Sequence, residues 1–385
     1  MNKFAVVVIG YNRTDSISRL LASLLKADYA GEKVDLVISI DFSGVDNVRL
    51  IAEEYRWPFG DKIVKAYPQK LGLRKHILSC GDLLNDYDAI AVLEDDVYVS
   101  PDFFNFMNQA VNYYQGERNI AGISLYSHGW SEYNNRPFIP DKNCYDVYFM
   151  KYAQSWGQIW LKDQWLDFID WYNKNNEEFL DQPHIPPNVS NWPASSWLKY
   201  HIKYCIEMNK YFVYPYHSLS TNFTDIGQHN AFKSTNYQIP IVNGKGLKYK
   251  FVDINNRDEG VFYDCFFERE NLGKFIGLND LDLCLDIYGG KSEKVYKRFL
   301  LTMEKKPYKI VKSFGLEMRP HEANITNQLP GEDIFLYDTS IADENNYIKA
   351  TETDIKKWNY DIKSNDYRLM LKILIRRILS RFKIN

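Results

Sequence analysis

Three consecutive carboxylates, Glu94, Asp95 and Asp96, are the clearest indication of chemistry in the sequence. They directly follow the apolar run from Ala89 to Leu93, and like charges placed so close together favour a compensating cation. Carboxylate oxygens are hard ligands that suit Mg²⁺ or Mn²⁺. An ion held there can bind a diphosphate and act as a Lewis acid for a phosphate leaving group. A merely solvated acidic loop explains the triplet alone equally well, so the choice depends on the elements that position it.

The elements around the triplet alternate between apolar runs and amphipathic stretches. Continuous β-branched runs are typical of buried strands, and apolar residues every three or four positions predict helices. The predicted strands are 4–9, 34–40, 62–66, 89–93 and 120–125, and the predicted helices are 13–26, 45–55, 71–84 and 101–114. This alternation predicts an α/β fold with a mostly parallel, doubly wound sheet flanked by helices.

Several polar residues lie directly after the predicted strands. Asn12 and Arg13 follow the first strand, Asp41 follows the second, and the acidic triplet follows the fourth. Ligands of doubly wound sheets bind outside the carboxyl ends of the strands. We therefore expect these side chains to share one site.

The chain becomes irregular and aromatic after about residue 126. Tryptophans cluster in 129–130, 155–160 and 191–193, and helices are predicted over 162–173 and 195–208. The whole sequence is 16% aromatic. Many of these rings belong to a core, but ring faces also suit the apolar faces of sugars, which is a hint of a carbohydrate ligand.

Composition excludes several classes of protein. The net charge is only −3 and 45% of the residues are hydrophobic, which argues against disorder and against a general nucleic-acid binder. No apolar stretch reaches the ~18 residues of a membrane span, and no signal peptide is recognisable. The five cysteines are scattered and form no C-x-x-C pair, so reduced, mostly buried thiols are expected. These features predict a cytoplasmic protein.

The strand-end residues resemble those of GT-A glycosyltransferases. The similarity rests on Val6-Val7-Val8-Ile9-Gly10-Tyr11-Asn12-Arg13, on Asp41, and on the acidic triplet before Pro101-Asp102-Phe103-Phe104. It is greatest to the Golgi N-acetylglucosaminyltransferase that initiates complex N-glycans, extends to bacterial family-2-like sugar transferases, and covers about residues 4–230. The resemblance implies a hexosyl- or N-acetylhexosaminyltransferase that uses a UDP-sugar and Mn²⁺ or Mg²⁺.

The resemblance also implies roles for individual residues. Arg13 corresponds to an arginine beside the nucleotide phosphates, Asp41 to the acid that accepts from the uracil ring, and Asp96 to the metal ligand. The implied nucleotide-sugar-binding residues are Asn12, Arg13, Asp41, Arg74, His76, Glu94 and Asp95; His229 is a further metal candidate, and Trp156, Gly157 and Trp197 are implied on the acceptor side.

The general base is where the sequence departs from its relatives. They usually carry an acid in the helix to which Ser195-Ser196-Trp197-Leu198 corresponds, and in an inverting mechanism that acid deprotonates the acceptor hydroxyl. None of these four residues is acidic. The base is elsewhere, the alignment is shifted, or catalysis is compromised. The catalytic residue is unknown, and Asp163, Glu132 and Asp225 are candidates by neighbourhood alone.

Three parts are predicted along the chain. Residues 1–235 form the catalytic domain, and 236–350 form a mixed α+β extension that binds an acceptor or a partner. Residues 351–385 end in a basic amphipathic helix, because six Lys and Arg residues from 366 onward accompany one acid and alternate with apolar residues. Such a helix can lie on an anionic membrane surface or pack on its own domain with a solvated basic face; we expect the former, at the inner face of the cell membrane.

Two classes of function therefore stay open. The leading interpretation is a metal-dependent transfer of sugar from a UDP-sugar to a glycan or lipid-linked glycan, inverting by resemblance, in bacterial surface polysaccharide synthesis. The alternative is a non-catalytic nucleotide- or glycan-binding protein that keeps the fold. A nucleotidyltransferase and a Rossmann dehydrogenase are disfavoured, because no glycine-rich loop follows the first strand.

Overall fold

The structure, a computed structural model, describes most of the chain. The described residues are 2–177, 179, 182–225, 235, 237–343, 360, 368, 371, 374 and 375. Within them the strands are β1 (Phe4–Gly10), β2 (Val34–Ile40), β3 (Lys62–Ala66), β4 (Ala89–Glu94), β5 (Val97–Val99), β6 (Ile120–Ser124), β7 (Trp130–Ser131), β8 (Arg136–Pro137), β9 (Val147–Met150), β10 (Gln158–Leu161), β11 (Tyr211–Pro215), β12 (Ser220–Asn222), β13 (Phe262–Tyr263), β14 (Leu283–Leu285), β15 (Phe299–Thr302), β16 (Tyr308–Phe314) and β17 (Ile334–Ala342). The helices are α1 (Thr14–Lys26), α2 (Asn47–Glu54), α3 (Leu73–Cys80), α4 (Phe103–Tyr114), α5 (Lys162–Asn175), α6 (Pro187–Ser190), α7 (Leu198–Glu207), α8 (Gly273–Ile276) and α9 (His321–Thr326), with 3-10 turns at Gly81–Asn85 and Glu293–Val295.

A nine-stranded sheet forms the centre of the molecule, in the order β13-β9-β11-β6-β10-β4-β1-β2-β3. The strands β3, β2, β1, β4, β6 and β11 run in one direction, and β9, β10 and β13 run in the other. The predicted α/β class with a mostly parallel sheet is thus confirmed.

The register of the sheet brings the predicted polar residues to one edge. Gly10 pairs with Ile40 across β1 and β2, and Ile9 pairs with Glu94 across β1 and β4. Since all three strands are parallel, the residues that follow them emerge side by side. This is the edge at which the sequence predicts the site.

Both faces of the sheet are covered by helices. Alternate residues of β1 enter different cores: Val6 and Val8 join the apolar cluster with α1, α2 and α4, whereas Ala5 and Val7 join the cluster with α3, α5 and α7. Strands buried on both faces read as continuous apolar runs, which is why β1, β2 and β4 were recognisable in the sequence.

A second, smaller sheet follows the large one. Its order is β14-β15-β17-β16, and with α8 and α9 it surrounds a separate core that includes Leu301, Phe314 and Leu336. The preceding segment belongs to the first unit, because β13 pairs with β9 and Val252 packs in the first core. We therefore propose that the boundary lies near residue 271 and not at 235.

The predicted C-terminal basic helix, 366–385, falls largely outside the described residues. Arg368, Leu371, Leu374 and Ile375, which are described, are helical and exposed. No helix among the described residues is long and apolar enough to cross a membrane. All five cysteines are free thiols, as predicted, and only Cys144 is exposed.

The side chain of Asn324, which is 0% exposed, ties α9 to the segment before it. Its Oδ1 accepts from the backbone N–H groups of Glu317 (2.7 Å) and Met318 (2.8 Å), and its Nδ2 donates to the carbonyls of Met318 and His321, both at 2.9 Å. We expect Asn324→Ala to destabilise the protein by about 3 kcal/mol, because several buried polar groups lose their partners.

Urea unfolding would measure that loss. Asn327→Ala is the matched control, because Asn327 directly follows α9 and is exposed. Equal shifts of the two unfolding midpoints would contradict the role given to Asn324.

Candidate active site

A cavity of about 510 Å³ opens at the carboxyl ends of β1, β2 and β4. Ten of the residues singled out from the sequence line it: Asn12, Arg13, Asp41, His76, Glu94, Asp95, Asp96, Glu132, Trp156 and Trp197. The individual roles assigned to them stay predictions, but their proximity is a property of the fold.

Asp41 is fixed at one end of the cavity by three backbone donors. The N–H groups of Phe42 (2.9 Å) and Leu71 (2.7 Å) donate to its Oδ1, and that of Gly72 (2.9 Å) donates to its Oδ2. Gly72 has a φ of +79°, a conformation that suits glycine, and it precedes α3. The carboxylate is therefore both buried and held in one orientation.

His76 lies beneath this end of the cavity and is almost fully buried. Its Nε2 is 2.8 Å from the Ser39 hydroxyl, and its ring packs edge-on against Tyr67. Burial lowers the pKa of His76 to about 4. The nearby Asp41 carboxylate acts to raise this pKa, but its effect is smaller than that of burial. The imidazole is therefore neutral at physiological pH.

Arg13 bridges two members of the acidic triplet. Its guanidinium donates through Nε (3.1 Å) and Nη2 to Asp95 and through Nη1 to Asp96 (3.1 Å). Burial disfavours the charged guanidinium, but Asp95 and Asp96 outweigh burial and raise the pKa of Arg13. Arg13 is thus a permanent cation within the acidic cluster.

One guanidinium does not neutralise three carboxyl groups. Burial, followed by repulsion from Asp96 and Asp95, raises the pKa of Glu94 to about 8. Burial also raises the pKa of Asp95 to about 6, although Arg13 opposes it. The cluster is therefore electrostatically short of positive charge, and its oxygen donors fit a hard divalent cation.

Asp96 is held by a second partner besides Arg13. Asn222 donates through Nδ2 to its Oδ1 (3.0 Å) because the ladder between β5 and β12 pairs Val97 with Asn222. In the described part of the chain, no group of three or more His, Cys, Asp or Glu side chains forms a complete metal cage. An ion at Asp96 would therefore need ligands beyond the described side chains, and a diphosphate can supply such oxygens.

Two of the three base candidates are not among the residues that line the cavity. Asp163 is exposed in the first turn of α5. Asp225 accepts from Ser16 (2.8 Å) and forms an ion pair with Arg19. Burial acts to raise the pKa of Asp225, but its partners outweigh burial and lower it, so it is a poor proton acceptor.

Two further predicted residues lie outside the cavity lining. Arg74 donates to the Tyr172 hydroxyl (2.6 Å), and its guanidinium lies over the Tyr200 ring, so it braces α3 against α5 and α7. Gly157 is the second residue outside the lining, and its backbone conformation and close packing account for the glycine at this position. It has a φ of +106°, and a Cβ there would lie 3.0 Å from the Ser220 hydroxyl oxygen. His229 lies outside the described residues.

The cavity also has an aromatic wall, which the sequence predicted only in part. Its rings are Tyr152, Trp156, Trp192, Trp197 and Tyr237, and Gln154 lines the cavity as well. Trp156 packs on Tyr237, with ring centroids 4.5 Å apart. The tryptophan clusters of the sequence indicated this wall, whereas no pattern distinguished Tyr152, Gln154 or Tyr237 from core residues.

Glu132 is the one base candidate that lines the cavity. It lies in the hairpin formed by β7 and β8, and burial raises its pKa to about 7. With this pKa, the Glu132 carboxyl group changes between its protonated and ionised forms near neutral pH.

Comparison with known proteins agrees with this arrangement. Residues 5–178 match the sequence model of glycosyl transferase family 2. This segment therefore has the sequence pattern of a glycosyltransferase domain. The match includes Arg13, Asp41 and the acidic triplet, and it ends before α7 and Asn222. No curated protein matches the sequence.

Solved structures with some similarity to the glycosyltransferase domain include three enzymes. S. aureus TarS 1–349 in complex with UDP has 14% identity and a TM-score of 0.37 over 57% of this chain and 59% of that one. The mannosyltransferase PcManGT from Pyrobaculum calidifontis, in complex with GDP-Man and Mn²⁺, has 14% identity and a TM-score of 0.34 over 55% and 56%. GalNAc-T7 with UDP, GalNAc and Mn²⁺ has 14% identity and a TM-score of 0.41 over 62% and 45%. The chain matches about three fifths of the TarS 1–349 structures.

Proposed function

We propose that this protein transfers a sugar from a UDP-sugar to a hydroxyl group of a glycan or lipid-linked glycan, with Mn²⁺ or Mg²⁺ as cofactor. The observation that carries the proposal is the single cavity with two chemically different sides. A fixed acid and a buried acidic cluster with its arginine make up one group of lining residues, and the aromatic wall makes up the other.

The first side suits a nucleoside diphosphate. Asp41, oriented by three backbone N–H groups, is suited to accept a hydrogen bond from the N–H of a pyrimidine ring. Arg13 is a fixed cation whose guanidinium matches phosphate geometry. We assign Asn12 and His76 to the same side, with Glu94 and Asp95 toward the ribose and the donor sugar.

The acidic cluster suits the divalent ion that a diphosphate brings. Asp96, with Asn222 beside it, would hold the ion, and the excess of carboxylates over guanidinium supplies the electrostatic reason. When bound, such an ion stabilises negative charge on a diphosphate leaving group. The Arg13 guanidinium is a second positive charge that would stabilise the diphosphate leaving group.

The aromatic wall suits the acceptor. Flat rings can pack on the apolar face of a sugar, and Trp156, Trp197 and Tyr237 offer such rings at the cavity surface. A base beside the acceptor would take the proton of its hydroxyl group, and the hydroxyl oxygen would attack the anomeric carbon from the face opposite the leaving group, which corresponds to inversion.

The biological setting belongs to the same proposal. We infer synthesis of a bacterial surface polysaccharide at the inner face of the cell membrane. Support comes from the resemblance noted in the sequence and from the basic, apolar segment 366–385, which would bind anionic lipid.

A non-catalytic binding protein is the second candidate. The observation that favours it is the start of α7, where Ser196, Trp197 and Leu198 line the cavity without a carboxylate. Incubation with UDP-glucose, UDP-galactose and their N-acetylhexosamine counterparts, in the presence of Mn²⁺, decides between the two. Release of UDP supports the transferase, whereas UDP binding without turnover supports the binding protein.

Asp41→Asn should weaken UDP binding at least tenfold. An amide cannot accept from Gly72 and from Leu71 at once, since one of its two ends is itself a donor, so the contact with the base is lost. Calorimetric titration with UDP would measure the loss, and Asp61→Asn is the control, because Asp61 is exposed. Unchanged UDP affinity in Asp41→Asn would contradict the assignment of the base site.

A further inference from the structure

Glu132 differs from the other acids of the cavity in lacking a donor. Asp41 accepts three backbone hydrogen bonds, and Asp95 and Asp96 are paired with Arg13. Glu94 belongs to the same cluster and bonds to Ser155. Within the part of the chain that the structure describes, burial is the only influence on the pKa of Glu132, with no cation beside it.

The surroundings of Glu132 are phenolic and uncharged. Tyr126, Tyr152, Tyr214 and Tyr237 approach it from four separate segments, and its charge adds to the burial that raises the pKa of each phenol. His128 packs among three of these residues, and burial lowers its pKa to about 3, so it is neutral. Among the described residues, no cation competes for the Glu132 carboxylate.

A buried polar group in the same cavity lacks a partner among the described residues. Gln154 lines the cavity and is 2% exposed. Its Oε1 accepts from the backbone N–H of Trp156, but its Nε2 has no hydrogen-bond acceptor. An unpaired buried amide is costly, so this N–H group is a ready donor for a ligand hydroxyl.

The hairpin that carries Glu132 is braced by residues of both units. The ring of Tyr133 packs edge-on against Phe266, with centroids 5.0 Å apart, and it covers Gly290 so closely that a Cβ there would lie 1.6 Å from the Tyr133 hydroxyl oxygen. Phe138 donates to the carbonyl of Gly129 across the hairpin (3.1 Å). Glu132 is therefore presented by a supported element and not by a free loop.

We propose that Glu132 is the general base of the transfer, with Gln154 holding the attacking hydroxyl. This inference rests on the proposed function. The Glu132 carboxylate takes the proton of the acceptor hydroxyl while the hydroxyl oxygen bonds to the anomeric carbon. The bond from that carbon to the diphosphate oxygen breaks, and its electron pair leaves with UDP. Relatives usually carry the general base in the helix that corresponds to the start of α7; here the β7–β8 hairpin supplies it instead.

Glu132→Gln tests the proposal, because the amide keeps the shape but cannot take a proton. With a UDP-sugar, Mn²⁺ and water as acceptor, we expect UDP release to fall at least 100-fold while UDP affinity stays within about twofold of wild type. Sodium azide needs no deprotonation, so it should restore UDP release in the variant. Glu293→Gln, an exposed acid of the second unit, is the matched control and should behave as wild type.

The pH profile gives an independent measurement. Only the carboxylate form accepts a proton, so wild-type activity should rise with pH through about 7. Glu132→Gln should lose this rise. If the wild type turns over and the rate of Glu132→Gln is within threefold of the wild-type rate, the base assignment is wrong and the proposed function stands. Absence of both UDP binding and turnover in the wild type would instead overturn the proposed function.

Discussion

Replacing Asp96 with alanine is expected to lower turnover of a UDP-sugar about 1,000-fold and to abolish the effect of Mn²⁺ on UDP binding. Asp96 lies at the centre of the polar cluster, where it accepts from Arg13 and Asn222, each within 3.1 Å. Its loss removes the proposed metal ligand and frees Asn222. Metal-ion stabilisation of a leaving group is worth several kcal/mol, which corresponds to that fall in rate.

Calorimetric titration with UDP, with and without Mn²⁺, measures the effect on binding. Asp170→Ala is the control, because Asp170 is exposed on α5 and pairs only with Lys174 one turn away. If Asp96→Ala binds UDP with an undiminished response to Mn²⁺, the metal does not bind at Asp96. The acidic triplet would then serve only to hold Arg13.

Trp160→Ala is expected to reduce the free energy of unfolding by about 4 kcal/mol. Trp160 is 1% exposed in β10, and its ring stacks on Trp165 with centroids 3.8 Å apart and planes at 13°. It also meets Trp197 edge-on at 5.7 Å. Truncation leaves a large void between β10 and α5 and withdraws support from the cavity wall.

Urea unfolding of Trp160→Ala measures this loss of stability, and Trp130→Ala is the control variant. Trp130 is partly exposed in β7, so its truncation should cost under about 1 kcal/mol. A loss of equal size in both variants would show that ring stacking in the second core contributes little.

The fold was predictable wherever burial on both faces left a continuous apolar run. The strands β2 and β3 were predicted with the bounds that the structure shows, and β1 and β4 differ by one residue. The helix expected over 71–84 is shorter and is followed by a 3-10 turn at Gly81–Asn85. Gly81 lies against Trp165, since a Cβ there would be 2.0 Å from the ring. The position of a distant tryptophan is not readable from local spacing.

Pairing between remote segments was the main limit on the fold prediction. Strand β13 has two residues, too few for a period, yet it completes the large sheet beside β9. Its pairing depends on contacts such as the stacking of Phe149 on Phe262, with centroids 4.8 Å apart. Local patterns contain no record of such a contact, which is why the boundary was placed at 235.

The candidate site divides in the same way. Asp41 and the acidic triplet were predictable, because parallel strands bring their carboxyl ends together. Glu132 could be named only by neighbourhood, since it depends on how the hairpin folds back. Arg74 had the right charge and sequence neighbours, but the Tyr200 ring and the Tyr172 hydroxyl hold it elsewhere.

The strand order of the large sheet bears on how the protein is made. Strands β1 to β4 are neighbours in the chain and can pair soon after leaving the ribosome, whereas β9 must wait for β13. Asp41 and the acidic triplet thus take their places early in synthesis, and the aromatic wall closes only after Tyr237 has emerged. A nascent chain therefore forms the strand ends that carry the acidic triplet before it closes the aromatic wall, and one edge of β9 stays unpaired until β13 emerges.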